Sequence, residues 1–388
     1  MNTNCYPKGL ESIQTPFYYY NTDLLRTTLA CIKSFEEAYD GFSVHYAIKA
    51  NANPKLLKII QEYGLGVDCV SGGEIQASID AGFAPSKIVF AGVGKSDWEI
   101  ELGLDHGILC FNVESIPELE VINQIASEKG KQANVCLRIN PEVGAHTHTN
   151  IATGRAEDKF GISMEDMEKV IQLTQSMSNI HFMGLHFHIG SQILEMADFE
   201  ALCDRINELQ DRLEKQQVKL EIINVGGGLG VDYTSPETNT MANFKDYFTT
   251  YHNRLQLREG QTLHFELGRA VVAQCGSLIT KTLYVKEGNQ QKFVIVDAGF
   301  TDLIRPALYQ AHHKIVNISS TATETDVYDV VGPICESSDV FVTGVTLPTT
   351  KRGDLIAILS AGAYGETMAS QYNCRPLAKG YTTEDFKN

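Results

Sequence analysis

The sequence predicts an α/β protein, a parallel (β/α)8 barrel of the TIM type followed by a C-terminal all-β domain, and three observations carry that expectation. Between Ser43 and Glu266 short β-type runs alternate with amphipathic helical stretches, and the alternation occurs eight times. Eight units in about 220 residues match a closed barrel, typically about 250 residues, better than a doubly wound open sheet. After Arg269 the chain turns to β-type runs punctuated by Gly, Asn and Pro, with little helical period.

Taken in order, the barrel strands are SVHYAIK (43–49), GVDCV (66–70), KIVFAG (87–92), GILCFNV (107–113), ANVCLRI (133–139), IHFMGLHFHIG (180–190), LEIINV (220–225) and TLHFE (262–266). Between them, stretches such as PKLLKIIQEY, SIPELEVINQIASEK and DFEALCDRINELQDRLEKQ place apolar residues three and four apart, the period of a helix with one buried face. The β domain is assembled from VVAQCGSLITKTLYVKEG, KFVIVD, VYDVVG, DVFVTGV and DLIAILS, read as a Greek-key-like barrel or sandwich. TPFYYYN near the start is also strand-like and is expected to cross over and join it. The boundaries therefore fall at residues 22–270 for the barrel, and at 1–21 with 271–388 for the β domain.

Charge and composition narrow the function. Of 388 residues, 43% are hydrophobic, enough for a large core. Lys and Arg total 32 against 48 Asp and Glu, so the formal charge is 32 − 48 = −16. That argues against a general affinity for nucleic acid or anionic lipid. No window approaches the roughly 20 apolar residues of a membrane span, and the start lacks a basic segment followed by an apolar one. Nine cysteines without a CxxC suit free thiols in a reducing compartment, so a cytoplasmic protein is expected.

In such barrels reacting groups stand at the carboxyl ends of strands, and phosphates favour the loops after the seventh and eighth. Lys49 closes the first run on the face of His45 and Ala47, which alternation turns inward at the upper rim. A lysine there is either a snorkelling side chain or a Schiff-base lysine whose amine burial makes nucleophilic. The seventh strand ends in INVGGGLG, where Gly226, Gly227 and Gly228 let the backbone approach an anion closely. The eighth ends in FELGR, with Gly268 and Arg269 beside it. A lysine and a phosphate cradle at one barrel mouth point to pyridoxal 5′-phosphate. Glu266 would then meet the pyridine nitrogen and keep it protonated, although a bridge to Arg269 three residues on accounts for it equally well. His188 could lie flat against the ring, with Ser191 in the following loop available to the phosphate. His186 and His188 share a strand face, however, and HxH is also how metal-dependent barrel hydrolases hold zinc. His146 and His148 in AHTH add a second such pair. Neither pair has an obvious carboxylate or third histidine at matching strand ends.

YAIKAN, HIGSQI, NVGGGLG, GPICESSD and GAYGETMASQYNCRP occur in one order and together resemble the fold type III pyridoxal-phosphate decarboxylases. The resemblance implies a homodimer of barrel plus β domain with active sites at the subunit interface. It implies that Lys49 holds the cofactor, His188 stacks on its ring and Glu266 meets the pyridine nitrogen. Gly227, Gly228, Tyr364 and the stretch Glu266, Leu267, Gly268 and Arg269 surround the phosphate or the cofactor. Substrate positions fall on Arg269, Arg305, Tyr309, Glu336 and Tyr364, with Cys335 reaching in from the partner subunit as proton donor. These suit a substrate with a second amino-acid centre, foremost meso-diaminopimelate, decarboxylated at its D centre to L-lysine in the last step of lysine biosynthesis. Arg269 and Arg305 can fork onto its distal carboxylate and Glu336 can accept from its distal ammonium. Arg305 and Tyr309, four apart, suit one helical turn. No metal is implied.

Within the fold, decarboxylases of ornithine, arginine or carboxynorspermidine are the alternatives, without a matching need for paired arginines and CES. An alanine racemase would set an arginine against the pyridine nitrogen, where Glu266 stands here. A non-catalytic homologue would lose Cys335, Glu336 and Arg305. The chain departs from the family pattern at Leu267, where proline is usual, at Val93, Gly94 and Lys95, where many members have NNK, and at Cys374, commonly serine. It also stops soon after Arg375 and Pro376, so the last β-domain strand is expected to be missing or short.

Overall fold

The computed structural model describes residues 6–143 and 159–387. The chain divides into two compact units, one of Leu29–Gly230 with Asn243–Gly268, the other of Met1–Thr28, Val231–Ala242 and Arg269–Asn388. The first strand, β1 (Phe17–Tyr20), belongs to the second unit. The next eight close the first unit into a barrel: β2 (Phe42–Ala47), β3 (Gly66–Cys69), β4 (Ile88–Phe90), β5 (Cys110–Val113), β6 (Ala133–Arg138), β7 (Ile180–His186), β8 (Ile222–Asn224) and β9 (Thr262–Leu267). All eight neighbouring pairs are parallel, with β9 returning to β2. The eightfold alternation read from the sequence is thus a closed barrel.

Polar residues at the strand-to-helix turns start the barrel helices. Asn53 accepts from the Lys55 amide ahead of Pro54–Glu62, Ser71 from the Glu74 amide, and Ser115 from the Glu118 amide, while Ser96 and Glu99 form a capping box. Each satisfies amides that the first helical turn leaves without partners. Outside the strands the helices bury an aromatic cluster, in which Phe265 meets Phe248 at 5.0 Å and Tyr251 at 5.2 Å, both edge-on. Inside, the barrel strands β2 and β9 are joined by His45 and His264, whose rings share a hydrogen bond of 3.0 Å. Burial pushes His45 down to about 4 and His264 to about 3, so both are neutral near pH 7. His45 Nδ1 donates to the Lys87 carbonyl, which leaves its Nε2 to accept from His264.

The second unit holds β10 (Gly276–Glu287), β11 (Lys292–Val296), β12 (Ile315–Asn317), β13 (Thr325–Val331), β14 (Val340–Pro348), β15 (Leu355–Ile358) and β16 (Lys379–Thr382). With β1 they form an eight-stranded sheet, in the order β12-β15-β10-β11-β13-β14. β1 pairs antiparallel with β10 and parallel with β16, burying Phe17, Tyr18, Tyr19 and Tyr20. The sheet is mostly antiparallel, with β11 and β13 a second parallel pair. The last of these strands, expected to be missing or short, is four residues long.

Two of the strands that end earlier than expected bear on the site. β2 stops at Ala47, and Ile48–Ala50 forms a 3-10 turn closed by the Asn51 amide on the Ile48 carbonyl. Tyr46 Oη donates to the Asn51 carbonyl, fixing the turn before Pro54 opens the next helix. Lys49 therefore does not share the strand alternation of His45 and Ala47. β7 likewise ends at His186, so His188 stands beyond the strand. Within β7, Gly184 lies where an added Cβ would meet the Ile222 carbonyl oxygen at 1.8 Å. Gly184→Ala is expected to lower stability by about 1–3 kcal/mol, the cost of overpacking, read as a fall in the denaturant midpoint with an unchanged slope.

Candidate active site

Strand register decides which polar side chains share the barrel interior. Arg138 lies opposite His186, His186 opposite Asn224, Asn224 opposite His264, and His45 opposite Glu266. Asp68 stands opposite Ala47, and Asn112 opposite Cys136. All these polar side chains are buried. The upper interior is therefore a layer of hydrogen-bonding groups, where barrels more often carry branched aliphatics.

Glu266 is its centre. Oε2 accepts from His186 Nε2 at 2.9 Å, and Oε1 accepts from Asn112 Nδ2 at 3.0 Å and Asn224 Nδ2 at 2.8 Å. Burial alone would raise this carboxyl; His186, Lys49 and the Asn224 amide outweigh it and hold the pKa well below the usual carboxylate range. Asn224 is itself oriented, since its Oδ1 accepts from the Gly226 amide at 2.9 Å. Buried Lys95 donates to Glu118 at 2.6 Å and to the Asn112 carbonyl at 2.8 Å, so the departure at Val93–Lys95 still braces this strand.

Lys49 Nζ lies 3.8 Å from Asp68 Oδ2, and its side chain is 43% exposed where the sequence suggested burial. Asp68 is fully enclosed; burial first, then the charge of Glu266, raises its carboxyl, and Lys49 partly offsets this. A third charge pair, Arg138 with Glu114 at 2.8 Å, is fixed by the Gly92 and Gly161 amides, which donate to Glu114.

The glycine triplet is demanded by close backbone approach. A Cβ at Gly227 would meet the Glu266 carbonyl oxygen at 1.9 Å, and one at Gly226 the Phe187 carbonyl oxygen at 2.4 Å. Gly226 and Gly228 also take φ of +67° and +106°, which L side chains rarely adopt. The Gly227 amide donates to His188 Nδ1 at 3.3 Å, and the Ile193 amide to the Gly228 carbonyl at 2.9 Å. The loops after β7 and β8 are thereby zipped together, with Ser191 in the first of them. Desolvation, then the charges of Arg138 and Lys49, lowers His188 well below the usual imidazole range, so its ring is neutral. Leu267 ends β9 opposite Tyr46 and is buried, so the residue in place of the usual proline extends the ladder; Gly268 packs on Ala47 and Ala50.

The other predicted residues belong to the second unit. Arg305 and Tyr309 bound one short helix, as their spacing suggested. Arg305 is buried. Arg269, also buried, donates to Tyr233 Oη at 2.8 Å and lies 5.0 Å from the Tyr364 ring. Tyr364 adopts φ +57°, a left-handed backbone costly for a tyrosine. Cys335 and Glu336 are exposed on a turn anchored by Asp339, whose carboxylate accepts from the Ile334 and Phe300 amides. Asn373 accepts from the Cys335 amide at 3.2 Å, and Glu336 from Tyr372, raising that phenol.

Sequence reasoning passed over Asp68, Asn112, Asn224, Tyr233 and His313, and read His186 only as a candidate zinc ligand. One signal was available: GVDC, CFNV, CLR, GLH, IIN and FEL each set a single polar residue among apolar ones near the carboxyl end of a strand. His146 and His148 lie outside the described residues. Among the described residues no cluster of His, Cys, Asp and Glu is arranged to hold a metal, and no helix is long and apolar enough to cross a membrane.

Residues 25–273 match the family model described as the pyridoxal-binding domain of pyridoxal-dependent decarboxylases. The protein is accordingly a carboxy-lyase with pyridoxal phosphate as cofactor. The donor set fits that group: an accessible primary amine, a buried ionised carboxylate for a protonated ring nitrogen, and a neutral imidazole beside a glycine loop. The chain is 65% identical to the diaminopimelate decarboxylase of Bacteroides thetaiotaomicron, over 97% of each chain. It resembles the crystal structure of the Helicobacter pylori diaminopimelate decarboxylase in complex with L-lysine, with a TM-score of 0.90, 40% identity and coverage of 97% and 93% of the two chains. It also resembles the M. jannaschii enzyme in co-complex with L-lysine, with a TM-score of 0.88, 35% identity and coverage of 96% and 88%. The chain belongs to the diaminopimelate decarboxylase family.

Because the folded-state pKa of Glu266 is depressed, its contribution to stability is fully present above the unfolded value of about 4.3 and is lost as pH falls toward the depressed one. His186→Leu removes the leading opposing interaction and raises that pKa. The expected loss at pH 7 is roughly 3–5 kcal/mol, as for a broken buried pair. The gap from the unsubstituted protein should narrow between pH 7 and pH 5, as the variant's carboxyl takes up a proton; urea midpoints at the two pH values check this.

Proposed function

We propose that the protein decarboxylates meso-diaminopimelate at its D centre, giving L-lysine and carbon dioxide. The observation that carries the reading is Glu266, held ionised inside the barrel by three donors and within electrostatic reach of Lys49. Pyridoxal phosphate, when bound, supplies the electron sink for the bond to the departing carboxylate. Lys49 would hold its aldehyde through Nζ, Glu266 would keep a proton on the pyridine nitrogen, and neutral His188 would lie against the ring. Gly227, Gly228 and Ser191, on the zipped loops after β7 and β8, would surround the phosphate, along with Gly268, Arg269 and Tyr364.

By resemblance to the family, the distal centre of the substrate would meet Arg269, Arg305, Tyr309 and Glu336. Two buried guanidiniums, Arg269 and Arg305, suit a carboxylate, Glu336 an ammonium, and Tyr309 stands one turn from Arg305. Cys335 is an exposed thiol on an anchored turn and would return a proton to Cα. By resemblance to the family it does so in the active site of a second copy, so the working unit is a homodimer. Similarity to proteins solved with L-lysine supports the product assignment. Free thiols at the eight described cysteines fit a cytoplasmic setting.

Carbon dioxide release from meso-diaminopimelate, against ornithine and arginine as controls, tests the assignment; comparable release from ornithine would overturn it. Lys49→Ala is expected to abolish both the visible absorbance and turnover, whereas Cys335→Ala keeps the absorbance and slows turnover roughly a hundredfold, as for loss of a general acid. Mixed Lys49→Ala and Cys335→Ala subunits should recover roughly a quarter of full activity, since half the dimers then carry one intact site. No recovery would argue against sites shared between copies.

A further inference from the structure

Several arginines of this chain meet carboxylates: Arg138 pairs with Glu114, Arg212 with Glu168, Arg254 with Asp204 and Arg258 with Asp211. Arg305 is different. It is buried, and it has no carboxylate partner among the described residues. Its Nη1 instead donates to His313 Nε2 at 2.8 Å, and His313 Nδ1 donates to the Leu359 carbonyl at 2.9 Å, just past β15. That carbonyl selects the tautomer, leaving the Nε2 lone pair aimed at Arg305. Burial, then the charge of Arg305, pushes His313 down to about 3, so the imidazole is neutral near pH 7. On its other side Arg305 stands 4.8 Å from the Tyr233 ring, and Tyr233 meets the His313 ring edge-on at 5.0 Å. Tyr233 Oη in turn accepts from Arg269 at 2.8 Å. Neutral groups thus hold two buried cations together.

We propose that His313 is a positioning residue for substrate selection, a neutral acceptor that fixes the Arg305 guanidinium without cancelling its charge, so that the charge stays available to the distal carboxylate of the substrate. This rests on the reading that Arg305 binds that carboxylate. A carboxylate at 313 would orient Arg305 as well or better, through a charge-assisted pair, and would compete with the substrate for it. An apolar residue would leave Arg305 unheld. Only a neutral acceptor both orients and spares the charge.

His313→Leu, His313→Gln and His313→Glu in the full-length holoenzyme separate these effects. The readouts are KM and kcat for meso-diaminopimelate, competitive inhibition by L-lysine and by cadaverine, which is the same chain without a carboxylate, and the thermal midpoint. His313→Leu is expected to weaken L-lysine inhibition and raise KM about tenfold or more, as for a lost hydrogen bond to a charged group. The accompanying changes in kcat and in cadaverine inhibition should be only about twofold. His313→Gln should restore most of the loss through its amide oxygen. His313→Glu should fold with an unchanged or higher thermal midpoint yet bind L-lysine as poorly as His313→Leu. Equal weakening of L-lysine and cadaverine, or full L-lysine affinity in His313→Glu, overturns the proposal; should His313→Leu fail to fold, the Gln and Glu variants still decide. An unsubstituted protein that neither releases carbon dioxide from meso-diaminopimelate nor is inhibited by L-lysine would instead remove the reading of Arg305 on which this one stands.

Discussion

An ionised carboxylate enclosed in a parallel barrel sets the terms for everything around it. Out of water, Glu266 would take up a proton unless donors replaced its hydration. Three do so from three different strands, His186 on β7, Asn224 on β8 and Asn112 on β5. Each can reach it only because barrel closure fixes the register, so the site depends on the fold to within one residue of strand pairing. The same register brings Asp68 near Lys49 and lets Asn224 join Glu266 to the Gly226 amide. Charge is distributed unevenly as a result: Glu266 is held ionised, Asp68 is pushed toward protonation, and the nearby imidazole of His188 is neutral.

The second unit treats its cations in the opposite manner. Where the barrel surrounds an anion with donors, the β-rich unit surrounds Arg269 and Arg305 with a phenol, an imidazole and aromatic faces. Buried guanidiniums keep their charge under such conditions, because Arg does not deprotonate in the ordinary range. On the function proposed above, a site of this kind would favour an incoming carboxylate over a neutral or cationic group, which is the discrimination a diamino diacid requires and a diamino acid with one carboxylate, such as ornithine, does not.

Much of the fold was legible because it rests on local pattern. All eight barrel strands were readable as short apolar runs between helices of 3.6 period, and the loss of that period after Arg269 marks the change to a β-rich architecture. Lys49, Glu266 and the Gly226–Gly228 loop stood out by position at strand ends. The turn at Ile48–Ala50 did not, because it depends on a Tyr46 to Asn51 bond that no strand pattern encodes. His186, Asn112 and Asn224 were hidden for a different reason: their partner is one residue on a distant strand, and only register joins them. Tyr233 and His313 were hidden for another reason: Tyr233 stands far from Arg305 in sequence, and His313, eight positions after it, lies outside the strands and helices, so neither carries a periodic signal. A polar residue isolated in an apolar strand is the visible trace of the barrel layer.

The ionised state of Glu266 has a direct spectroscopic readout. With pyridoxal phosphate carrying a 15N-labelled ring bound to the full-length protein, nitrogen NMR reports whether the pyridine nitrogen is protonated. An ionised Glu266 gives a protonated-ring shift that stays constant from pH 6 to pH 9 and moves toward the unprotonated value in His186→Leu. An unprotonated ring nitrogen in the unsubstituted protein across that range would contradict it.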